Sequence, residues 1–176
     1  NILVGNVEFT QPNTIINCDS AIFSRKDNAL EAFGNVRIFD RIDSVIITSR
    51  KLVYDGNERL AKIRENVVYR DDSTILYTEF LDYDMVNRSA NYFNGGRLID
   101  NVNVLTSQRG FYDTKGNKVT FKGNVIVTNP DYVLTAEDLV YDITTKIATI
   151  NSPNTITRSD GTVLNAEIGS EFNTIR

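Results

Sequence analysis

Four Tyr-Asp pairs recur along the chain at equal intervals: Tyr54-Asp55, Tyr83-Asp84, Tyr112-Asp113 and Tyr141-Asp142. A row of phenols beside carboxylates could bind sugar hydroxyls. Two acidic doublets, Asp71-Asp72 and Glu137-Asp138, could supply the carboxylate pair that a glycosidase or polysaccharide lyase needs in a cleft. The rest of the catalytic inventory is thin. The chain has no His and a single cysteine, Cys18, so neither a Ser-His-Asp nor a Cys-His arrangement can form. The usual zinc ligand sets cannot be assembled either, and no Gly-x-x-x-x-Gly-Lys-Ser/Thr phosphate loop is present. An Asp one residue after a strand aromatic also has a simpler use. It starts a turn by accepting hydrogen bonds from backbone two residues on. We therefore read the chain as non-enzymatic, with no cofactor and no metal.

The spacing itself says more than the residues in it. Phe23 precedes Tyr54 by an interval two residues longer than the others and occupies the same place in an earlier copy. Asn35-Val36, Asn66-Val67 and Asn124-Val125 each begin at the same distance after the preceding Phe or Tyr. A fixed period of about 29 residues means that one supersecondary unit is copied and stacked. We place the copies near residues 5–33, 34–64, 65–93, 94–122 and 123–151, with a partial sixth over 152–176, all within one domain spanning 1–176.

Within each copy the apolar residues keep register with the aromatic. Ile16, Ile47, Leu76, Leu105 and Leu134 stand seven before it; Leu52, Leu81 and Leu139 stand two before it; Ile63, Phe121 and Ile150 stand nine after it. Polar residues such as Lys62 and Thr120 fall between apolar ones, the period-2 signature of a strand with one buried face. Thr135, Val140, Ile143, Thr145 and Ile147 are β-branched. Each unit reads as a strand through the aromatic, a turn, a second strand, and a closing turn at Gly-Asn. The longer first interval implies two extra residues near Asp40–Asp43, as a longer turn or a bulge. Gly95-Gly96 and Gly110 depart from the pattern and predict a kink or waist. Asn154–Thr157 and Thr162–Asn165 read as strands of the partial unit. No stretch has a helical stripe with caps. Cys18 aligns with Ser49, Thr78, Ser107 and Ala136, so it reads as one of a set of small inward residues that leave space along the stack.

Composition limits the partners. The 176 residues carry a net charge of −4, and 41% are hydrophobic. That balance does not suggest nucleic acid, whose partners present a strongly basic face. No run of 18 apolar residues could form a membrane-spanning helix. Between Arg25 and Arg70 the balance reverses to +3, from ten Lys/Arg against seven Asp/Glu.

The Gly-Asn-Val triplets at 5–7, 34–36 and 123–125, with Tyr-Asp between them in five registered copies, resemble the OstA-like/LptA family over roughly residues 3–165. The resemblance implies an all-β, elongated, open β-jellyroll (a β-taco) built from stacked strand-turn-strand repeats of about 29 residues. It implies binding of lipopolysaccharide (lipid A) acyl chains by an apolar groove, and a bridge across the periplasm for export to the outer membrane. The lipid-binding role would fall on the inward row: Ile16, Ile47, Leu52, Ile63, Leu76, Leu81, Leu105, Phe121, Leu134, Leu139 and Ile150. Lipid phosphates would suit a basic rim of Arg37, Arg50, Lys51, Arg64 and Arg70. The implied partners are further copies of the chain stacked end to end, or related β-jellyroll domains of inner- and outer-membrane export subunits. The implied location is the periplasm, after removal of a signal peptide. Two alternatives share the same repeat. One is a ligand-free structural β-solenoid or interaction module with a sealed core, and the other is the periplasmic domain of a related export subunit.

Overall fold

The computed structural model describes residues 1–175; Arg176, the last residue of the expected partial unit, lies outside them. The described residues form sixteen strands and no helix. In chain order these are β1 (Ile2–Gln11), β2 (Thr14–Ser24), β3 (Ala29–Asp40), β4 (Val45–Asp55), β5 (Leu60–Arg70), β6 (Ile75–Asp84), β7 (Ser89–Tyr92), β8 (Gly96–Asp100), β9 (Asn103–Ser107), β10 (Arg109–Asp113), β11 (Lys118–Thr128), β12 (Tyr132–Asp142), β13 (Ile147–Ile150), β14 (Asn154–Arg158), β15 (Val163–Ala166) and β16 (Ser170–Asn173). All belong to one hydrogen-bonded antiparallel sheet, in which each strand from β1 to β6 pairs with the next in sequence and β7 pairs onward with β10.

This sheet is creased along its length. β1 pairs with β2 from Ile2↔Ile22 to Val4↔Ser20 and resumes at Val7↔Cys18, so Gly5 and Asn6 together face Asp19 alone. Two residues opposite one is a β-bulge, which bends its strand. The same register shift falls at Gly34-Asn35, Glu65-Asn66 and Gly123-Asn124. Asn94-Gly95 lies in the gap between β7 and β8. Both residues of every pair hold positive φ, from +43° to +100°. Gly takes that backbone without strain, and Asn tolerates it better than most residues. The Gly-Asn signal therefore marks a bulge in mid-strand rather than the turn expected to close each unit. The actual turns come later, at 41–44, 71–74, 101–102 and 129–131. A left-handed pair looks the same in sequence in either role, and the strand across from it decides which one it fills.

The crease divides the sheet into two leaves. Strand halves of one leaf end at the turns after Ser24, Asp55, Asp84, Asp113 and Asp142; those of the other end at the turns after Gln11, Asp40, Arg70, Asp100 and Thr128. Along the even-numbered long strands the alternation slips by one residue at the crease. In β4, Ser49 and Leu52 are buried while Arg50 and Lys51 between them are exposed. The slip keeps the apolar face of both leaves on the inside. The two extra residues of the first interval also differ from expectation. Asp40↔Val45 and Arg70↔Ile75 each enclose a four-residue turn. The excess therefore lengthens β3 and β4 by one residue each, and the turn is unchanged.

The departure at the fourth copy is explained by one ring. Tyr92 is buried, and a Cβ at either Gly96 or Gly110 would overlap its ring. The strands of this copy break there into β7 and β8, and β9 and β10.

Gly34 has φ +71°, and a Cβ there would stand 3.0 Å from Asp19 Cγ. Gly34→Val should destabilise the fold by about 1–3 kcal/mol. Urea unfolding checks this, and an unchanged midpoint would contradict the role assigned to the crease.

Candidate functional site

All eleven residues of the expected inward row point between the leaves, and each is only 0–2% exposed. Their order follows from the alternation, which puts every second residue of a strand on the inner face. The interior they make is filled. Leu52, Leu81, Phe121 and Leu139 belong to one continuous cluster with Tyr54, Tyr83, Tyr92, Tyr112 and Tyr141. Four hollows of about 420 to 610 Å³ indent the described residues, and none of the four is lined by a member of the row. An unsealed trough is therefore not what this conformation presents. The small residues expected to leave space lie beside the crease, in the pairs Val7↔Cys18, Val36↔Ser49, Val67↔Thr78, Gly96↔Ser107 and Val125↔Ala136. The leaves converge there, so a small side chain fits the angle without leaving a void. Thr78 Oγ1 donates to the Gly95 carbonyl at 2.7 Å, and Ser107 Oγ to the Arg109 carbonyl at 2.7 Å. Cys18 is buried, and burial pushes its thiol pKa up.

Opposite the crease, the turns of the two leaves approach one another at a mouth. Here the recurring tyrosines find partners that their own doublets do not show. Tyr83 Oη donates to Asp40 Oδ2 at 2.8 Å, Tyr112 Oη to Asp71 Oδ2 at 2.7 Å, and Tyr141 Oη to Asp100 Oδ2 at 2.7 Å. Tyr54 Oη makes the equivalent bond to Gln11 Oε1 at 2.8 Å. Each bond crosses from one leaf to the other and spans 41 to 43 residues of sequence. Tyr69 Oη adds a second donor to Asp71 at 3.2 Å. Burial, and then the neighbouring carboxylates, raise the pKa of Tyr69, Tyr83 and Tyr112 well above the ordinary phenol range. Burial also raises that of Tyr141. These hydroxyls therefore stay protonated and donate.

Cations reinforce the mouth. Arg88 pairs with Asp43, Lys146 Nζ meets Asp100 Oδ2 at 2.5 Å, and Thr114 Oγ1 donates to Asp43 at 3.1 Å. Arg88 and Lys146 have φ +55° and +61°, and Arg59 at the equivalent place has +54°. Asn28 and Asn117 fill the same place in other copies at lower conformational strain. The cations thus occupy a backbone position that favours Asn.

The aspartates of the Tyr-Asp doublets do what a turn starter does. Asp55 Oδ1 accepts from Asn57 and Glu58 N–H, Asp84 from Val86 and Asn87, Asp113 from Lys115 and Gly116, and Asp142 from Thr144 and Thr145, all at 2.9–3.1 Å. The bond from Thr145 N–H leads the causes that hold the Asp142 carboxyl below the usual range. The acidic doublets dissolve as a catalytic pair. Asp71 is held in a turn by Ser73 and Thr74 N–H, whereas Glu137-Asp138 is the slipped position of β12 at the crease.

The five rim cations are not brought together. Arg37, Arg50, Lys51 and Arg70 are exposed. Arg64 is tied to Asp82 at 2.9 Å and lies over the rings of Phe80 and Phe93. Lys51 and Arg64 are cross-strand partners on the outer face, and Arg50 sits at the crease. The mouth set was missed in sequence although the signal was there. Gln11, Asp40, Asp71 and Asp100 keep step with the repeat, and so do Arg59, Arg88 and Lys146 with one copy skipped.

A profile of OstA-like proteins matches residues 1–138. The chain belongs to the OstA-like family. Membership places this OstA-like protein among non-enzymatic proteins. No curated protein matches the chain. Among solved structures it is similar to LptH from Pseudomonas aeruginosa, described as the LptA-homologous periplasmic component of a lipopolysaccharide transport device. The superposition has a TM-score of 0.53 at 14% identity and covers 72% of this chain and 85% of LptH. At that identity the likeness concerns the fold, an LptA-type β-jellyroll.

Tyr83→Phe leaves Oδ2 of Asp40, a residue 1% exposed, without its donor, while Oδ1 keeps the Ile42 N–H, and should cost about 1–3 kcal/mol in urea unfolding. Base should act in the same direction. The unfolded chain ionises its phenols near pH 10 while the folded mouth does not. Stability is therefore complete below that pH and declines as pH rises above it. In an alkaline titration, tyrosinate absorption from the mouth should appear together with loss of β circular dichroism. Ionisation of the mouth tyrosines with the fold intact would contradict the geometry.

Proposed function

We propose that this OstA-like protein shields the acyl chains of lipopolysaccharide between its two leaves and serves as a bridging unit for lipopolysaccharide export across the periplasm. The observation that carries this reading is the uninterrupted row of apolar side chains, repeated copy after copy between leaves that share a backbone only at the crease. Burying each CH₂ of an acyl chain gains about 0.8 kcal/mol, and such contacts are non-directional, so near-equal sites along the row would let a chain slide. The interior has to widen to admit it.

The edges support end-to-end assembly. β1 leaves Ile2 and Val4 77% and 79% exposed on the first strand, and Val163, Leu164 and Ile168 are exposed near the other end. Unpaired strand edges invite addition of further strands, from a second copy or from related β-jellyroll domains of membrane-bound export subunits. The exposed cations Arg37, Arg50, Lys51 and Arg70 are candidates for headgroup phosphates; Arg64, already paired, is the weakest of the five. The fold likeness to a periplasmic transport component supports the same compartment. A second reading, a sealed rod without ligand, is favoured by one observation: the interior is filled in this conformation.

Photo-crosslinking decides between them. A photoreactive residue at 76, 105 or 134 should label purified lipopolysaccharide, and one at 62 or 120 should not. Labelling from 62 or 120 but not from those three removes the interior site, and labelling from none of the five selects the rod. Leu105→Asp should abolish labelling from position 76, whereas Arg50→Ala should weaken it far less. Size-exclusion at rising concentration should show growing assemblies, and a strict monomer throughout would remove the stacking part.

A further inference from the structure

The leaves are joined differently along their two long sides. At the crease every long strand runs from one leaf into the other. At the mouth no backbone hydrogen bond between the leaves occurs among the described residues. The turn-to-turn backbone bonds there, such as Arg41 N–H to the Asn13 carbonyl and Thr114 N–H to the Arg88 carbonyl, stay within a leaf. Closure at the mouth rests on side chains: four tyrosine rungs, the Arg88 and Lys146 ion pairs, and Thr114 on Asp43. A hollow of about 450 Å³ lies among these rungs, lined by Asp43, Tyr69, Asp71, Arg88, Tyr112 and Thr114.

We propose that the mouth is a side-chain latch through which a long-chain, multi-acyl amphiphile enters the interior sideways, rung by rung. This rests on the reading of the interior as an acyl-chain site. Three features fit a latch better than a passive seam. The tyrosine rings belong to the apolar cluster, but the rungs end in directional polar bonds whose hydroxyls and carboxylates can be resatisfied by water on opening. They repeat with the unit, so one opening leaves the neighbouring rungs closed on either side. The cations Arg88 and Lys146 sit in left-handed backbone that a turn would give to Asn, which sets their placement by what they face across the mouth.

The test is a link across the mouth. Thr114 Oγ1 lies 3.1 Å from Asp43 Oδ2, so Asp43→Cys and Thr114→Cys in a Cys18→Ala chain can be joined by a short bis-maleimide. Labelling of purified lipopolysaccharide from a photoreactive residue at 76 should slow by about tenfold or more on linking. Equal rates in linked and unlinked chains would overturn the proposal.

A second arm needs no lipid. In a Cys18→Ala, Leu76→Cys chain, Tyr83→Phe with Tyr141→Phe should accelerate thiol labelling at 76 by about tenfold. A reference variant destabilised equally beside the crease, Val67→Ala, should not. Equal acceleration in both would make the rungs merely structural and overturn the latch. If the unlinked chain takes up no lipopolysaccharide, the acyl-chain reading fails on its own account, and thiol access alone decides whether the mouth opens.

Discussion

The constraint on which this structure depends is the left-handed pair that lets two residues stand opposite one. At Gly5-Asn6, Gly34-Asn35 and Gly123-Asn124 the bulge turns each strand back over the sheet it came from. A flat antiparallel sheet with alternating side chains would leave its apolar face in water. Creased, the same sheet buries that face against itself and needs no second layer. The cost is local. Glu65 holds φ +67° in the third copy, where three other copies place Gly and the fourth places Asn94, a strain that the surrounding ladder must hold in place.

A creased sheet has one permanent side and one conditional side. The permanent side is covalent and lined by small residues, because the leaves meet there at a sharp angle. The conditional side is the mouth, where large aromatics span the gap and end on carboxylates. Buried carboxylates such as Asp40 and Asp100, 1% and 3% exposed, are tolerable because they accept hydrogen bonds: Asp40 from Tyr83 on the facing leaf and from the Ile42 N–H of its own turn, Asp100 from Tyr141 and Lys146 on the facing leaf. Polar closure around an apolar interior is what a carrier of amphiphiles requires. On the proposed carrier reading, the interior would hold chains by contact area, and the mouth would meet the aqueous side at the headgroup.

The repeat made much of this readable. The period, the inward row and the turn-starting role of Asp55, Asp84, Asp113 and Asp142 each depend on residues close in sequence, and each appears in the structure as local rules require. The role of Gly-Asn was misread because left-handed backbone serves a turn and a bulge equally well. The small row at Cys18, Ser49, Thr78, Ser107 and Ala136 was read as space, although in the structure it lies in the angle of the crease. The basic rim was read from local charge density, which takes no account of the leaf or face on which a cation falls.

The sequence by itself determined the unit, its period, which residues face inward and the absence of helix among the described residues, because alternation and turn chemistry act over a few neighbouring residues. Only the tertiary structure decided that the leaves close on one another and that Tyr54, Tyr83, Tyr112 and Tyr141 each end on a polar partner far away along the chain. It also decided that the interior is filled. Those outcomes depend on how far the crease folds and how the twisted leaves align, and these quantities are set by the packing of the whole stack rather than by any one copy.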